Sequence, residues 1–406
     1  MLTILSNLPH QPALAKSPPI PRLPVLDWQT FTGPQSSSLP CLLNLSGAEF
    51  TNSGRASILI ALEMFGIGKG DQVLVPTYHC PTMITPIIKV GAEPIFYPLN
   101  DDGSADLRWI ETQDISRVRV ILAAHFFGLP QAMAELRTWC DTRKIRLIED
   151  CAHALFGISD GRPVGNWGDL AIASLTKFLP VPEGGCLINN SGLPNFPLLS
   201  KPTAKEQVKA AFDIVHAGVN HGRLKGLRST LEFMLSLLKF GRKQAPLIQA
   251  DDGVGSSNSL EFNLGPTHQK LTGACRWLAL QTPRQRIVEG RRQQYLFFAQ
   301  AFQSCEFARP LVAELPADAA PYVFPLWVAD PDPGYFELRR LGFPVSRWDR
   351  LWPDVSHITG DVGQEWSHHI LQLACHQDLT PDEMRRMVAM IKSVYSPTKR
   401  TSKGEA

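Results

Sequence analysis

Apolar positions in the first half of the chain follow two spacings in turn. Residues 53–65 carry apolar side chains at helical spacing after a small polar start, which predicts a helix, and the apolar run 72–76 predicts a buried strand. The same pattern predicts helices at about 81–90, 107–111 and 132–143, and strands at 93–97, 118–124 and 146–149. Because strands that alternate with helices pair in parallel, we expect a doubly wound α/β layer.

The pattern changes beyond residue 190. We predict helices at about 205–216 and 227–240, a loop rich in small and polar residues at 244–259, a long helix at 266–302, a strand at 322–328 and a last helix at 381–393. The apolar run 231–238 is typical of a packed or subunit-facing helix, although a membrane-surface helix would show the same stripe. These changes indicate an insertion followed by a smaller α+β unit.

The chain is long enough for more than one domain. Its 406 residues, 44% of them hydrophobic, can bury a large core. We predict an N-terminal extension (1–40), a large domain (41–260) with a helical insertion at about 195–260, a long helix with a small C-terminal domain (261–396), and a disordered tail (397–406).

Composition and charge narrow the class of protein. Lys and Arg number 40 against 38 Asp and Glu, so a formal charge of +2 gives no global basic field, and we expect no nucleic-acid partner. We expect no signal peptide, no transmembrane segment and a cytoplasmic location, because no basic start precedes an apolar stretch and no run is long enough to span a bilayer. The eight cysteines lack Cys-x-x-Cys spacing, which disfavours a zinc ribbon or disulfide framework, and we predict no metal site.

The strongest chemical signal is a lysine that follows an aspartate by 27 residues. Asp150 directly follows the predicted strand 146–149, and Lys177 lies in a turn that begins at Ser174. A Schiff base with the aldehyde of pyridoxal phosphate (PLP) needs an amine, and a carboxylate keeps the pyridine nitrogen protonated. Alone, the lysine could be a solvated loop residue and the aspartate a helix cap. Their order and setting together indicate a PLP enzyme.

A phosphate seat is predicted at the start of the first helix. Gly54, Arg55 and Ala56 follow Ser53, so their backbone N–H groups and the positive end of the helix dipole suit a phosphate dianion. Arg55 could add a bidentate contact or lie in solvent. Ser174 and Thr176 could donate hydroxyl hydrogen bonds to the same phosphate or satisfy a turn.

Three rings are candidates for contact with the cofactor. Tyr78 and His79 follow the strand 72–76, and either could stack on the pyridine face or merely fill the loop. His153, three residues after Asp150, could hydrogen-bond the 3′ oxygen of the cofactor, or Asp150 itself, or serve only as structural support.

These residues form an ordered set of motifs. In chain order they are Ser-Gly-Arg-Ala-Ser-Ile from Ser53, Val-Pro-Thr-Tyr from Val75, His-Phe-Phe-Gly-Leu-Pro from His125, Glu-Asp-Cys-Ala-His-Ala from Glu149, Gly-Asp at 168–169, Lys177, and Glu-Gly-Gly from Glu183. The set resembles the DegT/DnrJ/StrS sugar aminotransferases of fold type I. The resemblance covers about residues 53–190 and returns weakly at 261–271 and 371–394.

The resemblance implies a fold, a reaction and roles for individual residues. The implied fold has a mainly parallel sheet flanked by helices in a large PLP-binding domain, plus a smaller C-terminal α+β domain. The implied reaction moves an amino group, commonly from glutamate, onto a keto group of a nucleotide-linked sugar, in cell-surface polysaccharide or secondary-metabolite biosynthesis. Lys177 would be the Schiff-base lysine, Asp150 the pyridinium partner, His153 its neighbour and Ser174 a phosphate ligand.

A homodimer with shared active sites is also implied by the resemblance. Asn263 stands where such enzymes often send an asparagine into the phosphate site of the neighbouring subunit. The chain departs from the family pattern at Cys80, which takes the place of a common stacking aromatic residue, in a segment about two residues shorter before Lys177, and in the 195–260 insertion.

Two other functions stay open. One is a different fold type I activity, such as a lyase, an aldolase or a sugar dehydratase, and the other is a non-catalytic binding or regulatory protein on the same fold. Arg347, Trp348 and Trp352 could face a phosphate- or sugar-bearing substrate, and packing of an exposed loop would explain them as well.

Overall fold

A computed structural model describes residues 18–193, 196–227, 265–353 and 355–395. Most of the predicted helix 227–240, the loop 244–259, the apolar run 231–238, the tail and Asn263 lie outside the described residues. No described helix combines the length and apolar character needed to cross a bilayer.

A seven-stranded sheet forms the centre of the first half of the chain. Its strands lie in the order β1, β9, β8, β5, β4, β2, β3, and the five from β8 to β3 run parallel. Strands β9 and β1 pair antiparallel at one edge. The bounds are β1 (Ala48–Thr51), β2 (Gln72–Pro76), β3 (Glu93–Tyr97), β4 (Val118–Ala124), β5 (Arg146–Asp150), β8 (Leu170–Ser174) and β9 (Gly185–Asn189), with a small hairpin of β6 (Ile158–Ser159) and β7 (Arg162–Pro163). The prediction of a mainly parallel sheet is confirmed.

Helices cover this sheet and bury both of its faces. They are α1 (Gly54–Met64), α2 (Pro81–Val90), α3 (Leu107–Glu111), α4 (Ala134–Arg143) and α5 (Ala204–Asn220). Successive residues of β8 point to opposite faces, so Leu170 and Ile172 join one core while Ala171 and Ala173 join another. Two cores on two faces explain why the strands read as continuous apolar runs.

A smaller antiparallel sheet follows in the second half. Its order is β10, β11, β13, β12, and a third core of aromatic and aliphatic residues lies against it. The elements are α6 (Gly273–Gln281), α7 (Arg284–Phe302), β10 (Ala308–Pro310), β11 (Val323–Val328), α8 (Gly334–Arg340), β12 (Val345–Ser346), α9 (Val362–His369), β13 (Ile370–Ala374) and α10 (Pro381–Tyr395). A smaller α+β unit is therefore present, and the exact domain boundaries stay a prediction.

The predicted long helix over 266–302 is wrong. Residues 268–270 instead run extended beside Ser200 and Thr51, and two helices follow, α6 and α7. The break falls at Thr282, whose ψ of 124° is extended. Pro283 explains it, because proline disfavours helical geometry in the residue before it and has no N–H to continue the helix.

Candidate active site

The ends of two neighbouring parallel strands bring the predicted lysine and aspartate to one cavity. Asp150, the last residue of β5, lies opposite Ile172 of β8. The chain leaves β8 through a short 3-10 turn, Leu175–Lys177, so Lys177 lies at the same edge of the sheet. Both residues line a cavity of about 360 Å³. That volume falls within the range of small-molecule sites.

Lys177 lies in surroundings that favour the neutral amine. Its side chain is half-buried, and its Nζ lies 5.3 Å from the ring centre of Tyr322. Burial lowers the pKa of Lys177 below its usual value, although the negative charge of Asp150 opposes that change. The turn is held in place because Arg291 Nη2 donates to the Lys177 carbonyl at 2.7 Å. A positioned amine with a depressed pKa is suited to attack a carbonyl.

Asp150 is a buried carboxylate that faces the cavity. Its side chain is 3% exposed, and Oδ1 accepts a hydrogen bond of 2.8 Å from the Ala152 amide. Burial raises the pKa of Asp150, and attraction to Lys177 limits the rise. A cation placed beside this carboxylate would offset its desolvation, which is the role a protonated pyridine nitrogen would play.

His153 is held as a neutral ring beside this pair. It packs against Tyr322 and Trp348, with ring centres at 4.5 Å and 4.9 Å. Burial, together with the charge of Lys177, holds the pKa of His153 well below its usual range. The Phe127 amide donates to Nδ1 at 3.3 Å, so the proton of the neutral ring is on Nε2. That N–H can donate to an oxygen anion.

The start of α1 forms a seat for an anion. Ser53 caps the helix, and its Oγ accepts a hydrogen bond of 3.2 Å from the Ala56 amide. The amides of Gly54 and Arg55 have no acceptor within the helix, and both residues line the cavity. Ala56 is fully buried and does not line it. Two of the three predicted residues of the seat are therefore at the cavity.

Ser174 and Thr176 lie at the same end of the cavity. A Cβ added at Gly54 would be only 3.4 Å from Ser174 Cβ, so the helix start packs directly against this serine. The hydroxyls of Ser174 and Thr176 are 3.4 Å apart, and both residues line the cavity. Gly185 allows the close approach, because a Cβ there would lie 2.3 Å from the Ser53 carbonyl oxygen. A helix start and two hydroxyls together suit a phosphate.

The structure does not bring Tyr78 or His79 to the cavity. Tyr78 is fully buried, and its hydroxyl accepts a hydrogen bond of 3.0 Å from Gln372. His79 is also fully buried, with Nδ1 donating to the Pro76 carbonyl and Nε2 accepting from the Trp352 amide, both at 3.0 Å. Burial lowers the pKa of His79 to about 4. Both rings are committed to the core, so neither supports the expected stacking on a cofactor.

Cys80 and Trp348 line the cavity, whereas Tyr78 and His79 do not. Trp348 comes from the C-terminal unit. Arg347 does not line the cavity, because it is buried and pairs with Asp332 at 3.2 Å and Asp349 at 3.0 Å. Of the three residues predicted to face a substrate, the described cavity contains only Trp348, since Trp352 also lies outside its lining.

Several lining residues were not among the predicted site residues. Arg22, His125, Tyr322 and Gln372 reach the cavity from distant parts of the chain. Tyr322 is fixed by a close crossing, in which its amide donates to the Phe127 carbonyl at 2.7 Å. Gly128 permits that crossing, because a Cβ there would lie 2.3 Å from the Tyr322 nitrogen. The glycine of the His-Phe-Phe-Gly-Leu-Pro motif was the available hint.

A second buried carboxylate lies beside the cavity. Glu149 is fully buried, and its oxygens accept hydrogen bonds from four nitrogen donors, which are His125 Nε2 (3.0 Å) and the amides of Gly165 (2.6 Å), Trp167 (2.8 Å) and Gly168 (2.9 Å), and from Cys151 Sγ (3.7 Å). Burial alone would raise the pKa of Glu149, but these bonds, led by that from His125, hold it below the usual value. Such a carboxylate stays ionised inside the fold.

Glu149 also belongs to a cluster of three side chains of the types that bind metal ions. Ligand atoms of His125, Glu149 and Cys151 all lie within 4.8 Å of one another. However, the Gln131 amide donates to His125 Nδ1 at 3.0 Å, so the His125 proton is on Nε2 and points to Glu149. The nitrogen that faces the group is thus a donor, and the arrangement is that of a structural hydrogen-bond network.

Comparison with known proteins finds similarity in the first half of the chain. Residues 45–195 match the model of the DegT/DnrJ/EryC1/StrS aminotransferase family. A GDP-perosamine synthase of Vibrio cholerae is 28% identical over 158 residues, which are 37% of this chain and 42% of that protein. A UDP-N-acetyl-3-dehydro-alpha-D-glucosamine 3-aminotransferase of Acidithiobacillus ferrooxidans is 33% identical over 30% of this chain and 33% of its own length. The matches to these curated relatives therefore span less than half of their lengths.

Solved structures extend the likeness of the fold over most of the chain. The aminotransferase PseC of Helicobacter pylori has a TM-score of 0.61 at 14% identity and covers 87% of this chain and 88% of its own. The aminotransferase TlmJ of Streptoalloteichus hindustanus has a TM-score of 0.58 at 16% identity, with 86% and 85% covered. At these identities the likeness shows the fold alone.

Proposed function

We propose that this chain, which belongs through residues 45–195 to the DegT/DnrJ/EryC1/StrS aminotransferase family, is a PLP-dependent aminotransferase. The observation that carries the proposal is the lining of one cavity by the Lys177 amine, the Asp150 carboxylate and the start of α1. The family match supplies the reaction class, and the cavity supplies the groups that this class of reaction requires.

The residues present fit the proposed cofactor. PLP carries an aldehyde, a ring nitrogen and a phosphate, and the cavity offers an amine, a carboxylate and a capped helix start that includes Arg55. Ser174 and Thr176 add hydroxyl donors to the phosphate end. When bound, the cofactor supplies an electrophilic carbon and a ring that accepts electrons.

Each side chain has a defined part in the proposed reaction. Lys177, whose amine has a depressed pKa, would hold the cofactor and move a proton to and from the reacting carbon as general base and acid. Asp150 would keep the ring nitrogen protonated by its negative charge. His153 would donate from Nε2 to the oxygen on the ring. Asn263 of the partner subunit would complete the phosphate seat, although that residue lies outside those described.

The substrates are proposed from the relatives. The names of the two curated relatives refer to nucleotide-linked amino sugars. We infer a keto sugar, carried on a nucleotide, as acceptor and glutamate as amino donor, with a homodimer in the cytoplasm as the working form. Polysaccharide or secondary-metabolite biosynthesis would use such a product.

The test is the absorbance spectrum of the purified protein with PLP, before and after glutamate is added. We expect a visible band from the cofactor joined to Lys177, which glutamate converts to the amino form of the cofactor. Lys177→Ala should lack the band and the conversion, while Lys392→Ala, a lysine of the C-terminal helix, should retain both.

Any other outcome would favour a different function or contradict the proposal. A cofactor band that no amino donor converts would favour a lyase, an aldolase or a non-catalytic binding protein on this fold. A wild-type protein without a band would contradict the proposal, because Lys177 would then not hold PLP.

A further inference from the structure

Cys80 is a cysteine that opens into the cavity beside Lys177. All eight cysteines of the chain lie within the described residues, and of these only Cys80 lines the cavity. It is half-buried and directly precedes α2, and its side chain makes no capping hydrogen bond to that helix. The thiol can therefore be reached from the cavity.

The other seven thiols are less suited to reaction. Six of them are buried, namely Cys41, Cys140, Cys151, Cys186, Cys275 and Cys375. Burial raises the pKa of each of these six, to about 12 for Cys140 and Cys375 and to about 11 for Cys275. Cys305 is half-buried but lies outside the cavity lining, and its thiol donates to the Ala301 carbonyl at 3.9 Å. Because a thiol reacts as the thiolate, the six buried cysteines are poor nucleophiles.

The surroundings of Cys80 favour attack by its sulfur. Thr82 Oγ1 donates a hydrogen bond to Sγ at 3.0 Å, and the positive end of the α2 dipole lies at the same position. The Lys177 amine opens into the same cavity. Burial lowers the pKa of Lys177, and negative charge on Asp150 and then on Cys80 opposes that change. Reactive thiols typically occur in such partly exposed, electropositive surroundings.

A separate observation indicates that the cavity is a ligand site. His153 lines it and is only 4% exposed, yet its Nε2 has no hydrogen-bond partner among the described residues, since the bond from the Phe127 amide goes to Nδ1. Buried polar atoms without a protein partner are rare in folded proteins and need a ligand or water to satisfy them. Cys80 therefore lies in the wall of a ligand site.

We propose that Cys80 is a redox-sensitive modification site, and that a small thiol joined to it excludes the cofactor. This inference rests on the proposed aminotransferase function. In the protein without cofactor, the sulfur of Cys80 attacks one sulfur of a low-molecular-weight disulfide such as oxidised glutathione. A new S–S bond forms, the S–S bond of the reagent breaks, its second half leaves as a thiolate, and the proton of Cys80 goes to solvent. A free thiol reverses the exchange.

The adduct and the cofactor compete for one space. Lys177, Asp150, the start of α1 and Cys80 all line the same cavity of about 360 Å³. This volume is near the lower end of the range for small-molecule sites. A tripeptide attached to Cys80 therefore fills the volume that the cofactor needs, and bound cofactor in turn shields the sulfur of Cys80.

The first test locates the adduct. The full chain, with and without PLP, is treated with oxidised glutathione, digested and analysed by mass spectrometry. We expect one glutathione per chain, on the peptide that contains Cys80, in the protein without PLP. PLP at about 100 times its dissociation constant should slow this labelling about 100-fold, because only the free protein reacts. Cys80→Ala should not be labelled, and Cys305→Ala, which removes the other half-buried thiol, should match the wild type.

The second test measures loading of the cofactor. Protein treated with oxidised glutathione and then given PLP should show no visible cofactor band, and dithiothreitol should restore the band. Cys80→Ala should load PLP equally before and after the treatment. Labelling of Cys305 or of a buried cysteine in place of Cys80, equal labelling with and without PLP, or a full band in the labelled protein would each overturn the inference.

The proposed function fails in a distinguishable way. An untreated wild-type protein without a cofactor band would remove the aminotransferase assignment, and the competition at Cys80 with it. A normal cofactor band in a protein whose Cys80 is labelled equally with and without PLP would remove only the inference about Cys80.

Discussion

Two adjacent carboxylates at the end of β5 have opposite surroundings. Glu149 and Asp150 point to opposite faces of the sheet because successive residues of a strand alternate, and both are buried. Glu149 accepts four hydrogen bonds from nitrogen donors inside the protein. Asp150 accepts one from the Ala152 amide and faces the cavity and Lys177.

The pKa shifts of the two carboxyls run in opposite directions. The hydrogen bonds of Glu149 outweigh its desolvation and lower its pKa, while desolvation of Asp150 outweighs the attraction of Lys177 and raises its pKa. A buried charge with a complete set of donors stabilises the fold, and a buried charge that faces an open cavity is ready for a ligand of opposite charge. Burial alone would not have separated a structural carboxylate from a functional one.

The largest effect is expected on the stability of the fold when the structural carboxylate, Glu149, is changed. Glu149→Gln removes the charge and turns an NH₂ group toward backbone amides that also donate. We expect a loss of about 3–5 kcal/mol in the free energy of unfolding, as when one partner of a buried charged network is removed. Urea denaturation of the variant and wild type would measure it. A variant with wild-type stability would mean that the four hydrogen bonds contribute little.

A smaller effect, on activity only, is expected when Asp150, the carboxylate that faces the cavity, is changed. Asp150→Asn keeps the shape of the side chain but removes the charge that would hold the ring nitrogen protonated. We expect turnover to fall by about 10²- to 10³-fold, in the range of other lost electrostatic contacts at reacting centres. Its unfolding free energy should stay within about 1 kcal/mol of the wild type, because a desolvated carboxylate is removed.

The contrast between the two variants is the control for both. If Asp150→Asn also lost several kcal/mol of stability, Asp150 would be structural like its neighbour. If Glu149→Gln kept its stability and lost only turnover, the two roles would be exchanged.

The local part of the site could be predicted from the sequence. The strand that ends at Asp150, the helix that begins after Ser53 and the turn around Lys177 are each set by neighbours in the chain, through apolar spacing and a serine cap. Parallel pairing then brings strand ends to one edge, which places Asp150 beside Lys177.

The other part of the site depends on contacts between segments that are distant in the sequence. Arg22 lies 155 positions before Lys177 and Tyr322 lies 145 positions after it, and no spacing in the sequence indicates that they reach the same cavity. Arg291 is another example, since this fully buried side chain donates to the carbonyls of Lys177 at 2.7 Å and of Cys375 at 3.0 Å. It joins the lysine turn to the C-terminal unit, yet in the sequence it is one arginine of a polar helix.

The direction in which a side chain points is a second feature that the sequence could not predict. Tyr78 follows β2 as predicted, but its ring is fully buried behind the cavity lining, with ring centres 4.9 Å from Trp348, 5.3 Å from Phe126 and 5.7 Å from Trp366. Whether a ring after a strand end faces solvent, ligand or core depends on which neighbours fold over it. In this chain, those neighbours are Phe126 and Phe127, Trp348 and, from α9, Trp366.

The proposed function depends most directly on a covalent bond between Lys177 and the cofactor. That bond can be tested by reduction of the PLP-loaded protein with borohydride, followed by digestion and mass spectrometry of the peptides. We expect a pyridoxyl group on the peptide that contains Lys177 and on no other lysine peptide. A modified peptide from elsewhere in the chain, or an unmodified Lys177 peptide in a protein that retains PLP, would show that Lys177 does not bind the cofactor.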